Sequence, residues 1–229
     1  MKKHLLLLST ILLLIAYAAL GVFAFAQEDA AAPEEELSLD GTWRVVSYFN
    51  NDTVTLVPCE YMVFSDSQAV DYRDSLETPF VETGYTIENG KLVLSALNRS
   101  YVIDLKPAGV LQLYTSPTEY MELVQYGSLE NVNAEFSKDD LQGLWNIGYR
   151  RGLDQIGTEA LEFVGGSTLN DYRNGGSDPV LTADYEWDAD GHLVISRLAK
   201  VYILLPITHN DIYFVETDTG YVWSLTRAE

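Results

Sequence analysis

The sequence predicts an all-β protein in which two small antiparallel β-barrels follow one another behind an N-terminal apolar segment. Three observations lead to this prediction. The chain of 229 residues repeats itself after about 100 residues, and apolar and polar residues alternate along most of both copies. Turn signals recur about every 8–12 residues, which predicts about 7–8 short strands in each copy. Alternation is the pattern of half-buried strands, and no helical period interrupts it beyond the N-terminal segment.

The repeat covers a whole small domain. The matching segments, first copy before second, are Leu39–Trp43 with Leu141–Trp145, Asp71–Arg73 with Asp171–Arg173, and Gly90–Ser95 with Gly191–Ser196. Solenoid units run only about 20–50 residues, so this longer period indicates a tandem duplication of a domain. We predict a first barrel at residues 39–126, a linker at 127–140 with a short helix beginning near Ser137, and a second barrel at 141–228.

The first 26 residues are predicted to be a secretory signal peptide. Lys2 and Lys3 precede a largely apolar stretch, and Ala24-Phe25-Ala26 fits a cleavage site with small residues at alternate positions. The apolar stretch is also long enough to span a bilayer, so an uncleaved membrane anchor at residues 5–26 remains the alternative. The acidic residues 27–38 are predicted to be a disordered tether. We therefore expect a secreted or extracytoplasmic protein, anchored to the membrane only if the apolar segment is retained.

The chain is strongly acidic, which bounds its partners. Its formal charge is −20, and loss of Lys2 and Lys3 with the signal peptide makes it −22. This charge argues against nucleic acid and against anionic membrane surfaces, and it leaves a weak attraction for cationic ligands. Cys59 is the one cysteine, so the chain forms no internal disulfide, and a buried thiol is the expected state.

No motif in the sequence dictates a reaction. His192 and His209 are the histidines beyond the signal peptide, and both flank predicted turns. The chain has no Gly-x-Ser-x-Gly element, no His/Cys spacing for a metal and no phosphate-binding glycine loop. Carboxylate pairs such as Glu119 and Glu122 are too common in so acidic a chain to indicate a glycosidase. We therefore predict a non-enzymatic protein without catalytic residues, a metal site or a cofactor.

Two short motifs carry a resemblance to a known family. Gly143-Leu-Trp145 opens the second copy, and Arg227 stands near its end. This combination resembles the lipocalin-like (calycin-like) superfamily, and both copies look most like the tandem lipocalin-like domains of secreted bacterial proteins. The resemblance implies that Trp43 and Trp145 close one end of each barrel and that Arg227 packs across Trp145, a contact of about 0.5–2 kcal/mol. The first copy has Gln125 in place of the arginine, so removal of Arg227 is expected to destabilise only the second barrel.

The resemblance also implies a ligand, a small hydrophobic or amphipathic molecule held inside a barrel. The candidate ligand-binding residues are Tyr72, Tyr85, Tyr101, Tyr172, Tyr185, Tyr202, Arg73 and Arg173. Asp71 and Arg73 lie two apart in a strand and so share a face, as do Asp171 and Arg173. Two alternatives to ligand binding stay open. In the first, the tyrosines pack in the core with their hydroxyls at a barrel end. In the second, the Asp–Arg pairs are structural ion pairs.

The second function class is an interaction module for an extracellular protein or for cell-wall material. Eight strands leave room either for packed side chains or for one small ligand. Large residues such as Trp187 and Trp223 are candidates to fill the barrels, and filled barrels favour this class. A ligand-binding protein keeps its apolar residues around a cavity, whereas an interaction module exposes an apolar patch of several hundred Å².

Overall fold

In the computed structural model, the described residues are 37–74, 76–128, 131, 136–151 and 159–228. The predicted signal peptide and residues 27–36 of the predicted tether lie outside the described residues. Within the described ranges, no helix has the length and apolar character needed to cross a bilayer. Leu39–Glu229 forms one compact unit, and both barrels belong to it.

The first sheet contains nine antiparallel strands and closes on itself. They are β1 (Gly41–Asn50), β2 (Thr53–Leu56), β3 (Glu60–Ser65), β4 (Gln68–Arg73), β5 (Val81–Glu88), β6 (Lys91–Leu94), β7 (Arg99–Lys106), β8 (Val110–Ser116) and β9 (Glu119–Gly127). β1 pairs with β3, each later strand pairs with the next, and the β1–β9 pairing completes a ring of eight. β2 pairs with the C-terminal part of β1, from Ser47 to Asn50, and is not a member of the ring.

The second sheet repeats this order. Its strands are β10 (Gly143–Arg150), β11 (Ala160–Val164), β12 (Thr168–Tyr172), β13 (Leu181–Asp184), β14 (Glu186–Trp187), β15 (Leu193–Ile195), β16 (Lys200–Pro206), β17 (Asp211–Glu216) and β18 (Val222–Arg227). β13 pairs with β12 and β14 pairs with β15, while Tyr185 joins the two and donates its amide to the Ser167 carbonyl at 2.8 Å. This bent run corresponds to the single strand β5 of the first barrel.

The predicted fold class is therefore confirmed: the described chain is all-β and contains two barrel-shaped antiparallel sheets. Local sequence explains individual turns. Asn89 and Gly90 connect β5 to β6 with φ angles of 52° and 71°, the left-handed pair that a two-residue type I′ hairpin requires. This hairpin is the one that the Asn-Gly dipeptide predicts.

Each barrel has its own apolar core, and both cores end on a tryptophan. The Trp43 indole N–H donates to the Leu39 carbonyl at 2.7 Å, and the Trp145 indole donates to the Leu141 carbonyl at 2.8 Å. Both rings are at most 2% exposed. Burying an indole while satisfying its one N–H group stabilises that end of each barrel.

The barrels also share a third apolar cluster. The first barrel contributes Val46, Val110, Val124 and Tyr126, and the second contributes Tyr149, Leu205, Tyr213, Val215 and Val222. The Tyr213 hydroxyl donates to the Ala108 carbonyl oxygen at 2.9 Å, so a polar contact across the interface accompanies the apolar ones. These residues are on the outer faces of the strands, and packing the barrels together removes them from water.

This shared core connects the barrels in addition to the linker and was not predicted from the sequence. A register shift between Val45 and Ser47 marks a β-bulge in β1. Val45 packs in the core of the first barrel and Val46 packs in the shared cluster, and both are buried. A strand with apolar side chains on both faces is covered on both sides.

The expected short helix near Ser137 is a single 3-10 turn at Lys138–Leu141. The Ser137 hydroxyl accepts from the Asp140 amide at 3.3 Å, and the Asp140 carboxylate accepts from the Ser137 amide at 2.6 Å. This reciprocal pair is a capping box, which satisfies the free amides at the start of the turn.

Candidate ligand-binding site at the mouth of the first barrel

A cavity of about 70 Å³ opens in the first barrel. Its lining residues are Tyr48, Glu60, Met62, Ala69, Asp71, Arg73, Val81, Thr83, Leu94, Leu97, Arg99, Tyr101 and Met121. Tyr48 lies five residues beyond Trp43 along β1, so the cavity lies toward the end of the barrel that Trp43 does not close. Met62, Leu94 and Met121 belong to or pack against the core and form its apolar part.

Charged side chains form the polar part of the lining. The Tyr48 hydroxyl donates to Glu60 Oε1 at 2.5 Å, and Glu60 is only 8% exposed. Arg73 donates from Nε to Asp71 Oδ2 at 3.1 Å, and its Nη2 lies 3.9 Å from Glu60 Oε1. The Arg73 guanidinium is stacked 4.1 Å from the centroid of the Phe80 ring. These contacts place two carboxylates and a fixed guanidinium at the mouth.

Burial sets the electrostatics of this group. Loss of solvation raises the pKa of Glu60, and the nearby Asp71 adds to the increase, while Tyr48 and Arg73 oppose it. Loss of solvation likewise raises the pKa of Asp71 against the opposing effect of Arg73. The pKa of Tyr48 is raised far above its ordinary value, first by burial and then by its bond to Glu60. The two carboxylates are thus poorly solvated in their charged forms.

The second barrel holds a larger side chain at one of the equivalent positions and a charged side chain at the other. The strand register pairs Tyr48 with Met121 in the first barrel and Arg150 with Trp223 in the second. Trp223 packs in the second core at 5.7 Å from the Tyr202 ring, and the Arg150 guanidinium lies 4.1 Å from the Trp223 centroid. An indole and a guanidinium therefore stand where the first barrel has a thioether and a phenol.

Two of the predicted ligand-binding residues, Arg73 and Tyr101, line the cavity. Tyr85 and Tyr185 lie at the other end of their barrels. The Tyr85 hydroxyl donates to Asp40 Oδ1 at 3.1 Å, and the Tyr185 hydroxyl accepts from Gln142 Nε2 at 2.7 Å. These two tyrosines match the alternative of core packing with the hydroxyl at a barrel end.

The remaining predicted residues are apart from the cavity. Tyr72 alternates with Asp71 and Arg73 along β4 and so projects from the opposite face. Tyr172 donates to Glu162 Oε2 at 2.8 Å, and Tyr202 is 2% exposed within the second core. Arg173 pairs with Asp171 at 2.9 Å. The predicted set thus does not form one site.

Tyr48, Glu60 and Met121 line the cavity but were not predicted from the sequence. A signal for two of them was available where the copies differ, because Tyr48 aligns with Arg150 and Met121 aligns with Trp223. Matching positions between copies report what the fold requires. Positions that differ in size or charge report what one barrel does that the other does not.

The predicted contact between Arg227 and Trp145 has a defined geometry. The Arg227 guanidinium carbon lies 4.4 Å from the Trp145 ring centroid. Its Nη1 donates to the Gln142 carbonyl at 2.7 Å, and its Nη2 donates to the Asp140 carbonyl. In the first barrel, Gln125 occupies the register position opposite Trp43.

A cluster of metal-ligating residue types and a free thiol lie outside the cavity. Asp188, Asp190 and His192 place side-chain ligand atoms within 4.8 Å of one another. Asp188 Oδ1 accepts the backbone amides of Asp190 at 3.0 Å and His192 at 2.8 Å, so the cluster is the hydrogen-bonded turn between β14 and β15. Cys59, expected to be buried, is a free thiol of intermediate exposure because it lies in the turn before β3.

Comparisons with known proteins include a distant structural similarity. No protein-family model matches the chain, and no curated protein matches it. A solved structure of a protein of unknown function of the DUF3598 family from Nostoc punctiforme PCC 73102 is 13% identical over 83% of this chain and 96% of that chain, with a TM-score of 0.34. At that score the similarity supports no inference about this chain, and its fold class rests on the strand pairings.

Proposed function

We propose that the chain is an exported, non-enzymatic binding protein that holds a small hydrophobic or amphipathic molecule at the mouth of the first barrel. The observation that carries this proposal is the cavity itself, with Met62, Leu94 and Met121 on its apolar side and Glu60 and Asp71 on its polar side. Ligand sites in proteins combine apolar walls with a few placed polar groups. The resemblance to lipocalin-like domains agrees with a ligand inside the barrel.

The size of the cavity limits the ligand. One water needs roughly 10–15 Å³, so a volume of about 70 Å³ accepts a few waters or one compact group. Pockets for drug-sized molecules measure roughly 300–1,000 Å³. The ligand is therefore a small molecule, or the end of a longer one whose remainder emerges through the mouth.

The lining supports binding rather than catalysis. It contains no histidine, cysteine or lysine among its described residues. The Thr83 hydroxyl in the lining forms two hydrogen bonds. It accepts from the Ala96 amide at 2.9 Å and donates to the Gly84 carbonyl at 3.1 Å. The Tyr48 hydroxyl does donate to Glu60, but burial and that hydrogen bond raise the pKa of Tyr48 far above its ordinary value, so the hydroxyl is not an activated nucleophile.

Export is the expected route to the ligand. Residues 1–26 carry the signal-peptide pattern, which leads to a secreted protein or, if the segment is retained, to a membrane-anchored one. In either case the barrels meet ligands outside the cytoplasm.

Native mass spectrometry of the protein purified gently from its own host tests the binding proposal. A retained small molecule, present in the wild type and absent from Met121→Trp, is the expected result because tryptophan fills the equivalent position of the second barrel. Asn170→Ala, at a position outside the cavity lining, is the control that should keep the molecule. A mass without any ligand, unchanged after exposure to a host lipid and metabolite extract, would contradict the proposal.

One observation favours the interaction module as a second candidate. Phe80 and Leu97 are 59% and 40% exposed beside the mouth of the first barrel, and the matching Val180 and Leu198 are 60% and 40% exposed in the second. Both barrels thus present an apolar pair in corresponding loops. Loss of binding to cell-wall material or to an extracellular protein in Phe80→Ser with Val180→Ser, together with an unchanged ligand content, would favour this candidate.

A further inference from the structure

In the second barrel, the side chains of Trp223 and Arg150 form a group that has no counterpart in the first barrel. Trp223 occupies the place of Met121, and Arg150 occupies the place of Tyr48. Arg150 stacks at 4.1 Å on Trp223, and its Nη1 lies 3.8 Å from Glu159 Oε2. The second barrel is therefore filled at this level by an aromatic ring capped with a cation that faces a carboxylate.

The first barrel retains the carboxylate of that arrangement. Glu60 lies two residues before Met62, the partner of Trp43, and Glu159 lies two residues before Leu161, the partner of Trp145. Glu60 thus corresponds to Glu159. It faces the cavity without the ring and the cation that the second barrel supplies.

The Asp–Arg pair that occurs in both barrels has more hydrogen bonds in the second barrel than in the first. Arg173 donates to both oxygens of Asp171, at 3.4 Å to Oδ1 and at 2.9 Å to Oδ2. Among the described contacts, Arg73 reaches one oxygen of Asp71 and donates to Oδ2 at 3.1 Å. Asp71 Oδ1 is buried, and among the described residues it has no hydrogen-bond partner. A buried acceptor without a donor is unfavourable, and a donor on a ligand would relieve it.

We infer that the ligand of the first barrel is a small organic cation, an ammonium or amidinium group carried on a compact apolar body. The apolar body packs against Leu94 and Met121, where the second barrel has Trp223. The cationic group faces the carboxylates of Asp71 and Glu60, where the second barrel has Arg150. This inference rests on the proposed binding function and names the chemical class of its ligand.

The charges at the mouth are compatible with a cation. Two arginines line the cavity: Arg99 is exposed, and the Arg73 side chain is 44% exposed and already engaged by Asp71 and Phe80. The side chains of Glu60 and Asp71 are only 10% and 15% exposed. Solvent screens an exposed charge more than a buried one, so the carboxylates dominate the field within the cavity. The net charge of −20 also raises the local concentration of cations around the protein.

Three probes of similar size test the inference: isobutylammonium, isobutanol and isobutyrate share a compact branched body and differ in the charge of the polar end. Isothermal titration of the full chain should give the tightest binding to the ammonium, by about 10-fold or more over the alcohol. Asp71→Asn should remove that preference. Asp171→Asn, the matched change in the second barrel, should leave it intact, and Met121→Trp should abolish binding of every probe.

Thermal unfolding shows whether each variant is folded, and Glu60→Gln supplies a second test of the preference if Asp71→Asn is not. Equal binding of the ammonium and the alcohol, or tighter binding of the carboxylate, would overturn the cationic class while the binding function stands. If Asp171→Asn loses the preference for the ammonium to the same extent as Asp71→Asn, the assignment of the ligand site to the first barrel is wrong. Binding of no probe by the folded wild type would overturn the inference, and the ligand content from native mass spectrometry then decides the binding function separately.

Discussion

Arg151 of the second barrel donates from Nη1 to Oε2 of Glu122 in the first barrel at 2.7 Å. Glu122 has no exposed surface, and the Gln112 amide also donates to its Oε2 at 2.6 Å. The Arg151 guanidinium lies 4.7 Å from the Phe49 ring and 4.6 Å from the Tyr221 ring, so aromatic residues of both barrels enclose it. Burial raises the pKa of Glu122, and Arg151 and Gln112 oppose that effect. This ion pair lies within the interface that joins the barrels.

Removing one partner of this ion pair should destabilise the compact unit that contains both barrels. Arg151→Met leaves the Glu122 carboxylate buried without its cation, which costs about 3–5 kcal/mol in the free energy of unfolding. Adding Glu122→Gln should restore part of the loss, because a neutral amide tolerates burial better than an unpaired carboxylate. Urea unfolding of both single variants and the double variant measures the coupling. Additive losses below about 1 kcal/mol would show that the pair behaves as an exposed surface ion pair.

A close approach of the barrels should make Gly220 sensitive to substitution. Its φ is +66°, and an added Cβ would lie 2.7 Å from Val54 Cγ1 and 3.1 Å from Ser47 Cβ, both in the first barrel. Gly220→Ala should therefore cost about 1–3 kcal/mol for the steric clash, beyond about 1–2 kcal/mol for the left-handed backbone. Gly165→Ala is the matched control, since its φ is +61° and nothing lies within 4 Å. Equal losses in the two variants, measured by thermal unfolding, would contradict a tight interface.

Much of the fold follows from the sequence because strands and tight turns are local features. The alternation around Leu92 and Leu94 and the Asn89-Gly90 dipeptide each depend on a few neighbouring residues. The repeat then fixes the second barrel once the first is known. These features need no knowledge of distant contacts, and the confirmed fold class rests on them.

The interface and the cavity could not be predicted because they depend on contacts between residues far apart in the chain. Glu122 looks like one carboxylate among many until Arg151 is placed beside it. The apolar residues on both faces of β9, with Leu123 in the first core and Val124 in the shared cluster, were a sequence signal that one more surface was covered. Tyr101 was recognised by repetition, whereas Met121 mattered because the repeat fails there.

Removal of Arg227 should now affect more than the second barrel. Arg227→Ala removes the stacking on Trp145 and the donors to the Gln142 and Asp140 carbonyls, and should lower stability by about 1–3 kcal/mol. Because the barrels share an apolar core, we expect one unfolding transition that moves as a whole. Calorimetry provides the measurement, with Gln125→Ala as the control at the matching position. Two transitions, of which only the second moves, would instead support independent barrels.

Substitution of Glu60 should change how stability depends on pH. Burial raises the pKa of Glu60 in the folded state, so between its ordinary pKa and the raised one the folded protein binds a proton that the unfolded chain lacks. The contribution is full below the ordinary pKa and is lost as pH rises through the raised value. Glu60→Gln cannot titrate there, so the stability of this variant relative to the wild type should improve as pH rises through that window.

Glu162→Gln provides a control of opposite sign. Hydrogen bonds from Asn170 and Tyr172 lower the pKa of Glu162, so its carboxylate stabilises the folded state above its ordinary pKa, and that contribution is lost as pH falls through the lowered value. The stability of Glu162→Gln relative to the wild type should therefore worsen as pH rises. Urea unfolding at a series of pH values from about 3 to 7 covers the ordinary pKa of glutamate, about 4.3, together with the range below it in which Glu162 titrates and the range above it in which Glu60 titrates. Parallel pH profiles for Glu60→Gln and the wild type would show that Glu60 is solvated like a surface carboxylate, and the buried polar side of the cavity would then have to be rejected.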